Sequence, residues 1–334
     1  MNTPRVSVLM PVYNPGAYLT EAINCILAQT FSDFELILIN DASTDNSEKI
    51  ILSYTDPRIV YLRNEQNTGI VGALNRGIET SKGELLVRMD ADDLVTTDRI
   101  EKLVKFMNQH PETGVASSYL KLFGNRNNVW EYSTSDDDIK AGLLFTSTLA
   151  HAPCVIRKQV LIENNIRYSD HYPHMEDYVL WHSLKHKTQF ACIPEVLYFY
   201  RITGENITEV NRETYFNRVS AYYKVLLKEL DISPSETELK LHFGLDEKYY
   251  PANKKYIHLY HNWLLKLKAQ NRKTKIYPEA ALERIINQKW NAVFYKIKRF
   301  SFLTVCRYWI LSRKLPFSQS RYFISTLFRK EKNL

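Results

Sequence analysis

Hydrophobic and polar positions along the first two hundred residues switch repeatedly between a two-residue and a 3.6-residue period. Val6–Val12 is a short apolar run ending in Pro11-Val12-Tyr13-Asn14. Ala17–Gln29 follows, with Leu19, Ala22, Ile23, Ile26 and Leu27 on one side of a helix. Phe34–Ile39 predicts a second buried strand ending in Asn40-Asp41, and Ser43-Thr44-Asp45 can cap the helix after it. Ile59–Leu62 predicts a third strand, Gly69–Thr80 a helix, and Glu84–Met89 a fourth strand that runs into Asp90-Ala91-Asp92-Asp93. Alternation of this kind predicts an α/β fold, a mostly parallel Rossmann-like sheet flanked by helices.

From Gly114 to about Ile202 the pattern is mixed. Strands are expected near Val115–Phe123, Cys154–Ile156 and Phe190–Tyr200, and helices at Asp136–Phe145 and Glu176–His186. Beyond Asn211 strand signals fade, and long helices are expected over Tyr215–Leu230, Lys254–Ala269 and Glu279–Phe300. The shift in composition divides the chain into residues 1–210, a sheet domain, and 211–334, a helical extension with a basic, aromatic tail.

Composition narrows the class. With 334 residues, 45% hydrophobic and 24% charged, the chain is neither disordered nor fibrous and can bury a substantial core. Cys25, Cys154, Cys192 and Cys306 are too scattered for a zinc or redox pair and are expected as reduced core thiols. No leader-like segment or 20-residue apolar run is visible, so a cytoplasmic protein is expected. The net charge of +7 is unevenly spread: Lys289 to Leu334 holds eleven Lys and Arg against Glu331 alone. That segment carries +10, and the remaining 288 residues carry −3, which argues against nucleic acid as a partner of the body.

The polar ends of the predicted strands are the candidate chemistry. Tyr13 with Asn14, then Asp41, then Asp90, Asp92 and Asp93 fall at successive C-terminal strand ends, the edge where open α/β sheets bind ligands. Asp41 alone could equally be a helix cap. If the chain stays extended at Asp90-Ala91-Asp92, both carboxylates project to one side, and hard oxygen ligands suit Mg²⁺ or Mn²⁺ bridging to a diphosphate. Neither GxGxxG nor GxxxxGK[ST] occurs, so a diphosphate would be neutralised mainly through metal.

Ser7-Val8-Leu9-Met10-Pro11-Val12-Tyr13-Asn14, Leu38-Ile39-Asn40-Asp41-Ala42-Ser43-Thr44-Asp45, Asn67-Thr68-Gly69 and Arg88-Met89-Asp90-Ala91-Asp92-Asp93 together resemble the family 2 glycosyltransferases. Glu176-Asp177-Tyr178-Val179-Leu180-Trp181 and Tyr200-Arg201 resemble two further motifs of that family, in family order, so the resemblance covers about residues 5–208. It implies a GT-A fold and an inverting, metal-dependent transfer from a UDP-sugar to a glycan or glycolipid acceptor, in bacterial lipooligosaccharide or capsule synthesis. Pro11, Val12 and Tyr13 would line the base pocket, beside Asn14, and Asp41 would accept from the uracil imide. Asn67 and Gly69 would pass the nucleotide, Asp90 and Ala91 the ribose side, Asp92 would ligate Mn²⁺ or Mg²⁺, and Arg201 would meet the phosphates. Asp177 would be the general base.

Two departures from that family stand out. Many relatives carry Ala-Arg-Asn where this chain has Ala73-Leu74-Asn75-Arg76, which displaces the arginine, and Thr203 replaces a histidine. His151 is a candidate for the metal or diphosphate in its place, with a structural histidine as the alternative. His171 and His174 are expected in a solvated loop, and Asp136-Asp137-Asp138 at a helix N-terminus. A sugar nucleotidyltransferase, or a non-enzymatic basic membrane-binding module, are the alternative functions. In the tail, Lys296, Arg299, Arg307, Arg313 and Lys314 share one arc of a helical projection that Leu303, Cys306 and Ile310 also enter, before Pro316. That pattern suggests contact with an anionic membrane at the cytoplasmic face of the inner membrane.

Overall fold

A computed structural model describes residues 3–202, 212–244, 252–296, 302–313 and 319–322. The chain forms two compact units, Met1–Arg218 and Val219–Leu334.

In chain order the first unit holds β1 (Val6–Val12), α1 (Leu19–Leu27), β2 (Phe34–Asn40), α2 (Ser47–Leu52), β3 (Ile59–Arg63), α3 (Gly69–Thr80), β4 (Leu85–Arg88) and β5 (Leu94–Val95). Then come α4 (Arg99–Gln109), β6 (Thr113–Gly124), β7 (Val129–Trp130), α5 (Asp136–Gly142), β8 (Val155–Arg157), α6 (Lys158–Glu163), α7 (Glu176–Leu184) and β9 (Gln189–Ile202). The strands form one sheet in the order β3-β2-β1-β4-β8-β6-β9-β5, with β7 paired to β6. β1 pairs in parallel with β2 and β4, and β2 with β3. Beyond β4 the sheet becomes mixed, because β8 enters antiparallel between β4 and β6 while β6 and β9 run parallel. The continuous apolar runs have their cause here: every residue of β2 is buried, as a strand covered on both faces requires. Val6, Val8 and Met10 share one core with Leu19, Ala22, Ile23 and Ile26 of α1.

From β1 the chain moves outward to β2 and β3, then crosses back to β4 on the other side of β1. The C-terminal ends of β1 and β4 therefore border a topological switch point, where a crevice forms. Ladder bonds continue past the strands and fix the loops at this edge: Asp41 N donates to Val12 O (2.8 Å), Asn64 N to Asn40 O (2.8 Å) and Met89 N to Leu9 O (3.0 Å).

Four elements in the first unit, β5, α4, β7 and α6, have no counterpart in the sequence expectation, although Ile100, Leu103, Val104 and Met107 of α4 form a readable buried stripe. Asp136, Asp137 and Asp138 do occupy the first turn of α5. His171 and His174 are exposed in the loop before α7. Asp45 acts just outside α2, taking Ser47 N on Oδ1 (2.9 Å) and Gly16 N on Oδ2 (3.0 Å).

The boundary between the units falls in α8 (Arg212–Glu229). The second unit continues with α9 (Glu236–Phe243), α10 (Lys254–Thr274), α11 (Glu279–Lys296) and α12 (Phe302–Ser312). Ser235 and Glu238 close a capping box on α9. Trp290 of α11 stacks on Tyr308 of α12 with ring centroids 4.8 Å apart, inside a core with Ile257, Leu264, Leu267 and Phe294. The expected continuation of α11 to Phe300, the break at Pro316, Thr203, and Arg299 and Lys314 lie outside the described residues. Among the described residues no helix is long and apolar enough to cross a membrane. All four cysteines are free thiols, Cys154 and Cys192 buried and Cys25 and Cys306 half-buried.

Candidate active site

The first corner of the crevice is built by the loops after β1 and β2. Asn14 adopts a left-handed backbone (φ 49°), and its side chain bridges the loops. Its Oδ1 accepts from Thr44 N (2.8 Å) and its Nδ2 donates to Thr44 Oγ1 (3.2 Å). Tyr13 stands beside it half exposed, at 53%, with its ring open to a planar ligand. Pro11 is half-buried and the Val12 side chain is wholly in the core, so Val12 serves the corner through its carbonyl.

Asp41 closes this corner from β2. It is buried, and its hydrogen bonds all fall on Oδ1: Asn64 Nδ2 (2.6 Å), Thr68 N (2.9 Å) and Thr68 Oγ1 (2.8 Å). The carboxylate thus anchors the Asn67-Thr68-Gly69 loop while Oδ2 is left for a donor from outside. Asn67 Oδ1 accepts from Gly69 N (2.9 Å), and Gly69 opens α3 at φ +72°, a conformation that a β-carbon disfavours. The displaced Arg76 still reaches the corner, donating to Arg63 O (2.5 Å) and to Asn64 Oδ1.

The second corner follows β4. Arg88, buried at the strand's end, pairs with Asp90 (Nη1 to Oδ2, 2.5 Å). Ala91 is buried between Asp90 and Asp92. Asp93 is 1% exposed, accepts Arg201 N on Oδ1 (2.7 Å), and has no hydrogen-bond partner on Oδ2. Burial, and then the charge of Asp90, push the Asp92 carboxyl up to about 6. Burial followed by Asp90 and Asp92 holds Asp93 well above the usual carboxylate range. Arg201 braces this turn: its Nε donates to Asp92 O (2.6 Å), its Nη2 to Glu21 Oε2 (2.6 Å), and its guanidinium lies 4.4 and 4.5 Å from the rings of Tyr18 and Phe123.

The third group sits at the start of α7. Asp177 accepts Ser147 Oγ on Oδ2 (2.8 Å) and Tyr178 N on Oδ1 (2.7 Å). Burial and then Glu176 raise its carboxyl to about 6, against those two bonds and the charge of Arg88. His151 meets Tyr168 through Nε2 and the phenol oxygen (2.8 Å). Burial, then Arg88, keep its ring well below the usual histidine range, so it is neutral near pH 7. Asn75 fixes Tyr168 in turn, bonding its backbone in both directions at 3.0 and 3.1 Å.

Arg88 is therefore the common electrostatic neighbour of Asp90, Asp92, Asp177 and His151, and sequence reasoning passed over it as a site residue. The signal was present: an arginine inside an otherwise apolar strand, two residues before an aspartate. Asn64 and Ser147 gave no comparable signal, since both act across loops.

The profile described as Glycosyl transferase family 2 matches residues 7–199. The chain belongs to that family. An uncharacterized glycosyltransferase of Haemophilus influenzae is 30% identical over 222 residues, 63% of this chain and 69% of that protein. The glycosyltransferase GlyG of Streptococcus pneumoniae serotype 4 is 36% identical over 134 residues, 40% of this chain and 44% of its own. Among solved structures, residues 1–349 of S. aureus TarS in complex with UDP-GlcNAc align over 85% of this chain and 92% of that one, at TM-score 0.58 and 17% identity. The mannosyltransferase PcManGT of Pyrobaculum calidifontis, in complex with GDP-Man and Mn²⁺, aligns over 93% and 86%, at TM-score 0.52 and 15% identity. These likenesses confirm the GT-A glycosyltransferase fold.

For a family 2 glycosyltransferase the second corner fits a divalent cation. Three carboxylates crowd within four residues, one of them has a buried oxygen without a partner, and Asp92 and Asp93 are raised first by burial and then by Asp90. Among the described residues no three His, Cys, Asp or Glu side chains form a closed metal cage. One or two carboxylates completed by substrate phosphates is the usual arrangement for Mg²⁺-type ions in such sites.

Proposed function

We propose that this glycosyltransferase moves a sugar, with inversion, from a UDP-sugar to a hydroxyl of a glycan or glycolipid acceptor in bacterial surface polysaccharide or lipooligosaccharide synthesis. The observation that carries the reading is the division of labour among its carboxylates. Asp41 is held by neutral donors beside the exposed Tyr13 ring, Asp92 is raised to about 6 by burial and by Asp90 against the weaker opposing charges of Arg88 and Arg201, and Asp177 is raised to about 6 next to Ser147. TarS, with its UDP-GlcNAc and UDP complexes, supports a uridine donor.

In this reading Tyr13 stacks on the base, with Pro11 and the Val12 carbonyl beside it, and Asp41 Oδ2 accepts the uracil imide proton. Asn14, Asn67 and Gly69 shape the loops that receive the nucleotide. Asp90 and Ala91 face the ribose, and Asp92, with Asp93 behind it, would hold the Mn²⁺ or Mg²⁺. When bound, that ion supplies positive charge to the departing diphosphate. Asp177 removes the acceptor hydroxyl proton as the new C–O bond forms at the anomeric carbon, on the face opposite the leaving group. The breaking C–O bond leaves its electron pair on the UDP β-phosphate oxygen, near which Arg201 adds a fixed charge. Asp177 then returns its proton to water. His151, neutral and bonded to Tyr168, is read as a structural histidine. UDP release from a panel of UDP-sugars and GDP-mannose, each with Mn²⁺ or Mg²⁺, tests the proposal, with product anomers read by NMR. Release from GDP-mannose alone, or a retained anomer, overturns it.

We place the enzyme at the cytoplasmic face of the inner membrane, on the geometry of α12. Val305 and Tyr308 face inward and are fully buried, while Leu303 and Ile310, both 67% exposed, face outward next to the half-buried Arg307, whose Nη2 meets His258 Nδ1 (3.4 Å). Apolar and cationic groups on one face suit an anionic lipid surface. The double substitution Leu303→Ser, Ile310→Ser is expected to weaken binding to phosphatidylglycerol vesicles while UDP affinity persists; unchanged sedimentation with the vesicles refutes the docking face.

A further inference from the structure

Trp130 is the most exposed tryptophan: Trp181, Trp263 and Trp290 are buried, Trp309 is half-buried, and Trp130 is 41% exposed. It sits on a two-residue edge strand, opposite Leu120 of β6, where backbone pairing places no demand for an aromatic side chain. Its ring nevertheless has a fixed orientation, stacked on Tyr200 with centroids 6.5 Å and planes 21° apart. Tyr200 immediately precedes Arg201, whose guanidinium holds the Asp92 carbonyl, so the stack adjoins the turn assigned to the donor diphosphate.

The chain just past the hairpin also comes under the influence of Asp177. Tyr132, two residues beyond Trp130, packs on the central core and lies in the field of the Asp177 carboxylate, which adds to the effects of burial and of Cys192 on its phenol. Tyr215 of α8 lies in that field too: burial raises its phenol, a bond with Thr146 opposes this, and Asp177 adds to the rise. Thr146 neighbours the Ser147 that bonds Asp177. Aromatic groups thus stand near both ends of the interval an acceptor must occupy, Trp130 and Tyr200 next to the Arg201 that holds the Asp92 turn, and Tyr132 and Tyr215 within the field of the proposed base.

We propose that Trp130, backed by Tyr200, is the platform on which a pyranose ring of the acceptor stacks, with Tyr132 and Tyr215 bordering that ring beside Asp177. The C–H face of a neutral pyranose carries partial positive charge and matches the negative face of an indole. Apolar contact there leaves the hydroxyl at the opposite edge free to meet Asp177. The platform deepens the proposed function and rests on its assignment of Asp92 to the donor and Asp177 to the acceptor.

The test uses the full-length protein with methyl β-galactoside, methyl β-glucoside and lactose as acceptor probes, alongside UDP-sugar donors. Trp130→Ala is expected to raise the acceptor KM about tenfold, with Trp130→Phe recovering most of it, while the Kd for UDP stays at the wild-type value. The probe that supports turnover is also expected to shield Trp130 fluorescence from acrylamide, an effect absent in Trp130→Phe. An acceptor KM unmoved by Trp130→Ala, or a Trp130 signal indifferent to saturating acceptor, overturns the platform alone. Donor-dependent UDP release that no pyranoside stimulates also overturns it. Wild-type protein that releases UDP from no UDP-sugar overturns the donor assignment beneath it.

Discussion

Asp41 and the Asp90–Asp93 turn are both acidic endings of parallel strands on either side of β1, and they are built in opposite ways. Asp41 is surrounded by donors: an amide, a hydroxyl and a backbone N–H converge on one oxygen, and the loop carrying them is thereby fixed. The Asp90–Asp93 turn is surrounded by its own charges. Arg88 answers Asp90, but Asp92 is raised to about 6 and Asp93 keeps a buried oxygen without a partner. A carboxylate with its hydrogen bonds in place is ready to read a neutral ligand by shape. Carboxylates crowded in a buried turn, with Arg88 and Arg201 opposing only part of their repulsion, have their most favourable state when a cation arrives. One sheet edge therefore separates recognition of the nucleoside from neutralisation of its phosphates.

The largest effect that would break this contrast is functional. Asp92→Ala is expected to reduce transfer by about 10³-fold or more, because charge neutralisation on the leaving group is lost. The same variant should bind UDP equally with and without Mn²⁺ in calorimetry, whereas wild-type affinity should rise with the metal. Metal-dependent affinity surviving in Asp92→Ala would show that the turn is not the cation site.

Stability should sharpen the contrast with opposite signs. Asp41→Ala strips buried donors of their acceptor and is expected to cost about 2–4 kcal/mol, read as a fall in Tm of several degrees. Asp92→Asn should instead raise Tm in metal-free buffer at pH 8. The sign follows from linkage. Asp92 titrates near 6 when folded, above its ordinary 3.8, so its ionisation opposes folding above that range. The gain should therefore fade as the pH drops through 6 toward 4. A Tm lowered by both substitutions at pH 8 would mean that the two corners are stabilised alike.

How far this was legible in the sequence follows the same division. Runs such as Val6–Val12 and Phe34–Asn40 are buried on both faces, so their apolar character fixed their limits to within a residue, and α3 spans Gly69–Thr80 as its periodicity predicts. Asp41, Asp90, Asp92 and Asp177 stood out because acids at strand ends and helix starts are conspicuous. Their partners were not readable. Asn64 and Thr68 bond Asp41 from more than twenty residues away, and Ser147 reaches Asp177 across thirty. Such contacts depend on loop placement, which no local period encodes. The short edge strands Leu94–Val95 and Val129–Trp130 were unreadable for a different reason, since two residues cannot display a period.

Asp177 combines both conditions, and this gives the finest test. Like Asp92 it is raised to about 6 by burial and by a neighbouring acid, Glu176; like Asp41 it accepts a hydroxyl and a backbone N–H, from Ser147 and Tyr178. If it is the base, kcat/KM falls as the pH drops through about 6, because only the carboxylate can take the acceptor proton. Ser147→Ala removes a bond that favours the charged form and should move this limb up by about half a unit to one unit. Glu176→Gln removes a repelling charge and should move it down. At pH 8 Asp177 is ionised in all three proteins, so Ser147→Ala should there approach the wild-type rate. The two substitutions push Asp177 in opposite directions, one toward the crowded state of Asp92 and the other toward the donor-held state of Asp41. Limbs that move together, or stay in place, would assign the proton to another group.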